Sequence, residues 1–173
     1  MDDRDRIVVA GGTDSFDLPE TAAPFSKTGI GGTGFLAVVG ADGSALDVSR
    51  RLSAGISVMV RDDAGRIHLA GSSPQEDCQA RDGAEQMTYG GGAADGFWIT
   101  IDPSYGEIQH ATYVGGSGTD LINAIAVGRD GRIRLAGYTF SKDFPVSPDA
   151  LQARPATAQL LKAEGFFVLA PIK

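Results

Sequence analysis

The residues of this chain that can do chemistry are few, and most of them lie in glycine-rich turns. Gly115-Gly116-Ser117-Gly118-Thr119-Asp120 places a serine hydroxyl among small residues. A nucleophile elbow needs a second glycine two residues beyond the serine, where Thr119 stands, so the segment reads as a turn. His68 and His110 are the two histidines available as a base; neither is local in a turn with Ser117, and His110 falls on an expected strand. Asp14, Asp17, Asp120 and Asp143 sit beside glycines, serines and threonines, a setting in which oxygen ligands gather around calcium. They lack the ligand spacing of an EF-hand or a calcium-binding nonapeptide, and the plainer reading is that they hydrogen-bond turn backbone.

Other motifs fail on context. Gly29-Ile30-Gly31-Gly32-Thr33-Gly34 matches a dinucleotide fingerprint in its letters, but that motif must follow a strand and open a helix, and here a strand follows it. Cys78 alone forms no internal disulfide, and the two histidines give it no zinc spacing. A net charge of -7 and a pI near 4.7 exclude a general attraction to nucleic acid or anionic lipid. No apolar run approaches the roughly 20 residues of a membrane helix. The polar opening Met1-Asp2-Asp3-Arg4-Asp5-Arg6 does not read as a signal peptide, which leaves a cytoplasmic protein or one whose leader has been removed.

The elements that must position these residues come from an internal repeat. The chain has 173 residues, 42% hydrophobic and 21% charged, within the range of one folded domain, but its 24 glycines are about twice the usual share. An Ala-Gly anchor at the end of an apolar run recurs with its glycine at 11, 71 and 137, spacings of 60 and 66 residues. A Gly-Phe anchor opens a second run with its phenylalanine at 35, 97 and 166, spacings of 62 and 69 residues. Two independent anchors that keep step in this way mark a repeat.

Strands are expected at Arg6 to Thr13 and at its counterparts after Gly65 and Gly131, then at each Gly-Phe run. Further strands are expected over Ala45 to Leu52, Ile56 to Val60, Ile108 to Val114 and Ala124 to Val127. Asp42-Gly43, Asp102-Pro103 and Asp130-Gly131 supply the turns. The total is about ten strands, four per unit with incomplete ends, and approximate units 1–55, 56–122 and 123–173. Several runs are apolar on both alternating faces, as strands sandwiched between neighbouring sheets would be. Phe35, Phe97, Trp98, Phe166 and Phe167 are expected to pack between sheets. Arg66 and His68, with Arg132 and Arg134, read as solvated polar faces. Only Pro148 to Glu164 carries any helical character.

Thr112-Tyr113-Val114-Gly115-Gly116-Ser117-Gly118-Thr119-Asp120, then Leu135-Ala136-Gly137-Tyr138-Thr139 and Ser141-Lys142-Asp143-Phe144-Pro145, resemble the bacterial SBBP-type beta-propeller repeat. The likeness covers one unit well, a second loosely and part of a third. Ser15-Phe16-Asp17-Leu18-Pro19 keeps the Asp-Phe-Pro position in the first unit, and Ser73-Pro74-Gln75-Glu76-Asp77-Cys78 has lost it in the second. The residue before Gly-Phe, usually aspartate in that family, is Thr33, Asp95 and Glu164 here. The resemblance implies a fold and not an activity: an all-β chain of four-stranded antiparallel blades, about two and a half of them. Such a piece is incomplete alone, so it implies completion by a second copy, by another protein or by further sequence of a longer polypeptide; two copies would pool about twenty strands. The family also favours an extracytoplasmic bacterial location.

The leading expectation is a non-catalytic interaction or scaffold module, an accessory subunit or a self-associating assembly. The alternative is a module binding a glycan or small polar ligand with calcium as the one cofactor in view; a hydrolase comes third. The long connections from Thr13 to Gly34, Ser73 to Gly96 and Thr139 to Gly165 are where recognition is expected. Within and beside them the candidate ligand- or partner-binding residues are Asp17, Asp95, Asp120, Tyr138, Phe140 and Asp143.

Overall fold

The computed structural model describes residues 1–25, 34–74, 80–81, 83–148, 150–152 and 163–170. Among them are ten strands and no helix: β1 (Ile7–Gly12), β2 (Gly34–Val39), β3 (Leu46–Leu52), β4 (Gly55–Arg61), β5 (Ile67–Ser73), β6 (Asp95–Ile101), β7 (Ile108–Val114), β8 (Asp120–Val127), β9 (Ile133–Thr139) and β10 (Glu164–Ala170). The fold is all-β. The strands form three antiparallel sheets, β1-β2-β3, β4-β5-β6-β7 and β8-β9-β10, none of them closed. Most of the stretch with helical character, 153–162, lies outside the described residues, as do Cys78 and positions 29–33 of the glycine motif.

The two sequence anchors are the two sides of one cross-strand pair. Gly11 lies opposite Phe35, Gly71 opposite Phe97 and Gly137 opposite Phe166. A pair fixed by register must keep a constant relation in sequence, which is why the anchors recur together. The glycine is required on its other side. A Cβ on Gly71 would stand 2.0 Å from the Gly55 carbonyl oxygen, and one on Gly137 would stand 1.9 Å from that of Leu121. Both contacts lie where β4 and β8 bulge, at Ile56/Val58 and Ile122/Ala124.

Hairpin turns follow the expected chemistry with one exception. Gly43, Gly65 and Gly131 close β2–β3, β4–β5 and β8–β9 with positive φ values of 75°, 82° and 73°. In β6–β7 the left-handed position is taken by Tyr105, at φ 61°. Its ring is buried, its hydroxyl donates to Asp2 Oδ2 at 3.0 Å, and the Arg6 guanidinium stands 5.4 Å from its ring centre. Those contacts hold a side chain where glycine is ordinarily favoured.

The sheets are stacked. β8 lies across β4, β5 and β6, and β4 lies in turn against β1 and β2. Two cores result. Leu36, Val38, Leu52, Ile67, Leu69, Phe97, Ile99 and Ile101 fill the first, and Trp98, Ala70, Ile122, Ile133 and Leu135 fill the second. The middle sheet therefore contributes alternate residues to opposite cores, and every residue of β6 is buried.

This stacking corrects two expectations. His68 is not on a solvated face: it is fully buried, with Nε2 at 3.1 Å from Asp62 Oδ2 and Nδ1 at 2.9 Å from Thr100 Oγ1. Arg66 pairs with the same Asp62 carboxylate at 2.7 Å. Burial is the larger influence on His68 and lowers its pKa, which keeps the ring neutral. Phe167 does not pack between sheets. Leu36, Trp98 and Phe167 hold the same place in β2, β6 and β10, next to the anchor phenylalanine, yet they are 0%, 1% and 66% exposed. The first two face a following sheet, and Phe167 has none among the described residues.

Trp98→Ala should therefore cost about 3–5 kcal/mol of stability, while Phe167→Ala, at the equivalent place, should cost less than about 1 kcal/mol in the dilute monomer. Urea unfolding of both variants measures the difference, and similar losses would contradict the assigned stacking.

Candidate functional site

The second and third sheets meet at the starts of β6 and β8. The amide of Asp120 donates to the Ala94 carbonyl at 2.8 Å, so the first residue of β8 is tied to the residue preceding β6. This brings Asp95 and Asp120, both fully buried, into one joint. The turn 115–119 wraps around it. Gly116 N–H and Ser141 Oγ–H donate to Asp120 Oδ2 at 2.8 and 2.6 Å, and Gly118 N–H donates to Ser141 Oγ at 2.8 Å. Ser117 donates to Asp143 Oδ1 from both its amide and its hydroxyl, each at 2.8 Å. Gly115–Asp120 and Ser141–Asp143 are thus two halves of one hydrogen-bonded unit.

Glycines make the joint possible. A Cβ on Gly115 would stand 2.7 Å from Asp95 Cγ, 2.8 Å from Asp95 Oδ1 and 2.9 Å from Asp120 Oδ2. The two carboxylates therefore flank Gly115. Opposite them, 90–92 runs backbone against backbone with 116–118: a Cβ on Gly90 would meet the Gly116 carbonyl oxygen at 2.3 Å. Gly90 N–H donates to Asp95 Oδ2 at 2.5 Å, and the Tyr89 hydroxyl donates to the Gly92 carbonyl at 3.0 Å.

Oδ1 of Asp95 and Oδ1 of Asp120 are both buried and accept no hydrogen bond. No lysine, arginine or histidine among the described residues forms an ion pair with either residue. Burial, reinforced by the charges of Asp120 and Asp143 and opposed by the amides of Gly90 and Gly91, pushes the Asp95 carboxyl up to about 6. Asp143 at the surface goes the other way, held below the usual range by its two bonds from Ser117.

Of the six candidate residues, Asp95, Asp120 and Asp143 converge here. Phe140 borders the same loop, its amide donating to the Thr119 carbonyl at 2.9 Å. Tyr138 meets Phe140 edge-to-face at 5.9 Å, at the end of the third sheet. Asp17 stays apart, exposed in the β1–β2 connection, where Ser15 Oγ–H donates to its carboxylate at 2.5 Å. Ser117 and His68 do not meet as nucleophile and base, since each is bonded to other partners. Asp62, His68 and Thr100 do line up as an acid, an imidazole and a hydroxyl, but 6%, 0% and 1% exposure leaves no route for a substrate. Sequence reasoning missed Ser141, and the letters that betray it are its repeat context, Ser-Lys-Asp after the Thr139 anchor. No family model matches the chain, and no curated protein matches it either.

The unfolded chain holds the Asp95 proton with an ordinary pKa near 3.8. The folded chain holds it more tightly, so this group contributes its full stability below about pH 4 and loses it as pH rises through 6. In buffer free of divalent ions, Asp95→Asn should be more stable than the parent at about pH 7 by roughly 1–3 kcal/mol and nearly equal to it at about pH 4. Urea melts at both pH values measure this, and an unchanged difference would show that Asp95 ionises freely. Gly115→Ala should cost about 1–3 kcal/mol by pressing a methyl group onto both carboxylates; the same melts check it.

Proposed function

We propose that the protein is a non-catalytic interaction module of beta-propeller type, whose repeats continue by stacking onto a second copy of the same chain. The observation that carries this reading is the pair of unsatisfied faces at the two ends of the sheet stack. On the far side of the third sheet, Phe167 and Leu169 are 66% and 43% exposed. On the near side of the first, Ile7 and Val9 are 43% and 39% exposed, whereas their repeat counterparts Ile67 and Leu69 are 1% and 0% exposed under the neighbouring sheet. The open faces thus carry the residue types that already fill the two internal junctions.

The faces are complementary in kind rather than identical. The near face of the first sheet corresponds to the near face of the second, which covers the far face of the sheet before it. A second copy laid with its first sheet over Phe167 repeats the internal packing, a head-to-tail contact that closes into a ring if the rotation allows. β1 and β10 each lie at one edge of their sheet, and an edge strand offers further pairing of the same kind. The resemblance to SBBP-type repeats supports the reading independently, because such units are built to be covered by the next.

Light scattering over a concentration series tests it. The parent chain should associate. Val9→Asp and Phe167→Asp should each reduce association, and mixing the two variants should restore a dimer joined through the one intact pair of faces. A parent that stays monomeric and well folded to about millimolar concentration would overturn self-completion.

A further inference from the structure

Beyond that reading, we propose that the joint between the second and third sheets is a calcium site, with Oδ1 of Asp95 and Oδ1 of Asp120 as its two anionic ligands. The two oxygens are buried and accept no hydrogen bond, and no lysine, arginine or histidine among the described residues pairs with either carboxylate. A buried charge left unpaired costs several kcal/mol after relaxation. Two such carboxylates flanking Gly115 therefore call for a counter-charge that no described side chain supplies.

The donor set selects the kind of ion. Beside the two carboxylates, the main-chain carbonyls of Ala94, Gly116 and Gly118 lie in the same joint, an all-oxygen set that suits a hard cation. Among the described residues no group of three acidic, histidine or cysteine side chains gathers as a ligand set. The ion would complete its shell with main-chain oxygens and water, an irregular mixed shell of the kind calcium tolerates and magnesium does not. Two carboxylates match its charge. Their other oxygens are already fixed, Asp95 Oδ2 by Gly90 and Asp120 Oδ2 by Gly116 and Ser141, so the free oxygens are oriented before any ion arrives.

The first junction supplies an internal comparison. In sequence, the residue just before the Gly-Phe anchor is Thr33 in the first unit where the second has Asp95, and the place of Asp120, two residues before the bulged isoleucine, is held in the first junction by Ala54. Ala54 is buried in the first hydrophobic core. Stacking two of these sheets therefore does not require a pair of carboxylates. The second junction carries a charge that packing alone does not explain, and a bound cation explains it.

Calorimetry and thermal unfolding of the chelator-stripped full chain at about pH 7.5, with calcium chloride and magnesium chloride in parallel, test the site. Calcium should bind at one site and raise Tm, with magnesium at least about tenfold weaker. Asp95→Asn and Asp120→Asn should each weaken calcium binding by more than about tenfold while remaining folded, since each removes an unpaired charge. No heat and no rise in Tm up to about 10 mM calcium would overturn the proposal. So would an equal calcium response in both variants, which would place the ion elsewhere, or a parent whose stability follows pH through about 6 but ignores calcium, which would mean that the carboxylates share a proton instead.

Discussion

An apolar sheet face must be covered, and in this chain each sheet is covered by the next. β6 shows what that demands. Phe97, Ile99 and Ile101 enter one core while Trp98 enters the other, and no residue of the strand reaches solvent. Close approach depends on the bare glycines Gly71 and Gly137, which sit under the bulged carbonyls of Gly55 and Leu121. A methyl group at either position would push the bulged strand off its neighbour, and that strand is the one lying on the preceding sheet. Backbone geometry within each sheet and packing between sheets are thus set by the same residues.

Burial on both faces also decides what polar groups must do. A polar side chain on such a strand has no water to turn to, so it is either paired or expensive. His68 and Thr100 are paired, with Asp62 and Arg66 extending the chain of contacts to the surface of the β4–β5 turn. Burial would raise the Asp62 carboxyl, but hydrogen bonds from Arg66 and His68 outweigh it and hold the group below the usual carboxylate range. Asp95 and Asp120 occupy an equally buried place without such partners. The contrast between these two networks, one closed and one open, separates a polar cluster that holds the middle sheet together from one that wants a ligand.

Much of the architecture was legible because the repeat wrote it three times. The Ala-Gly and Gly-Phe anchors are readable at a distance since they face each other across a hydrogen-bonded pair, and drift in the connecting loops cannot move one without the other. His68 was misread for a physical reason. Alternation of Arg66, His68 and Ile67, Leu69 describes a half-solvated strand only if one face is open, and here both are closed. The aspartates were legible as a set but not as a site. Asp17 and Asp143 stand in nearly the same local letters, Asp-Leu-Pro and Asp-Phe-Pro, yet only Asp143 reaches the joint, because Ser117 comes from a turn between two sheets. Convergence of that kind is set by the Asp120–Ala94 bond and the stacking behind it.

Where repeats agree, the residues answer to packing, and where they differ, packing has ceased to explain them. Ala54 and Asp120 occupy the same place in successive junctions, one apolar in an apolar core and the other charged in a setting that penalises charge. The glycines opposite follow the charge: 90–92 and 115–116 lie close enough that backbone amides reach Asp95 and Asp120. A single drifted carboxylate would have been met by protonation or by a nearby arginine, as Asp62 is met by Arg66. Instead two carboxylates flank Gly115, each with Oδ2 fixed by an amide or Ser141 and Oδ1 unpartnered, an arrangement that raises the cost of leaving them empty-handed and lowers the cost of ordering them around an ion.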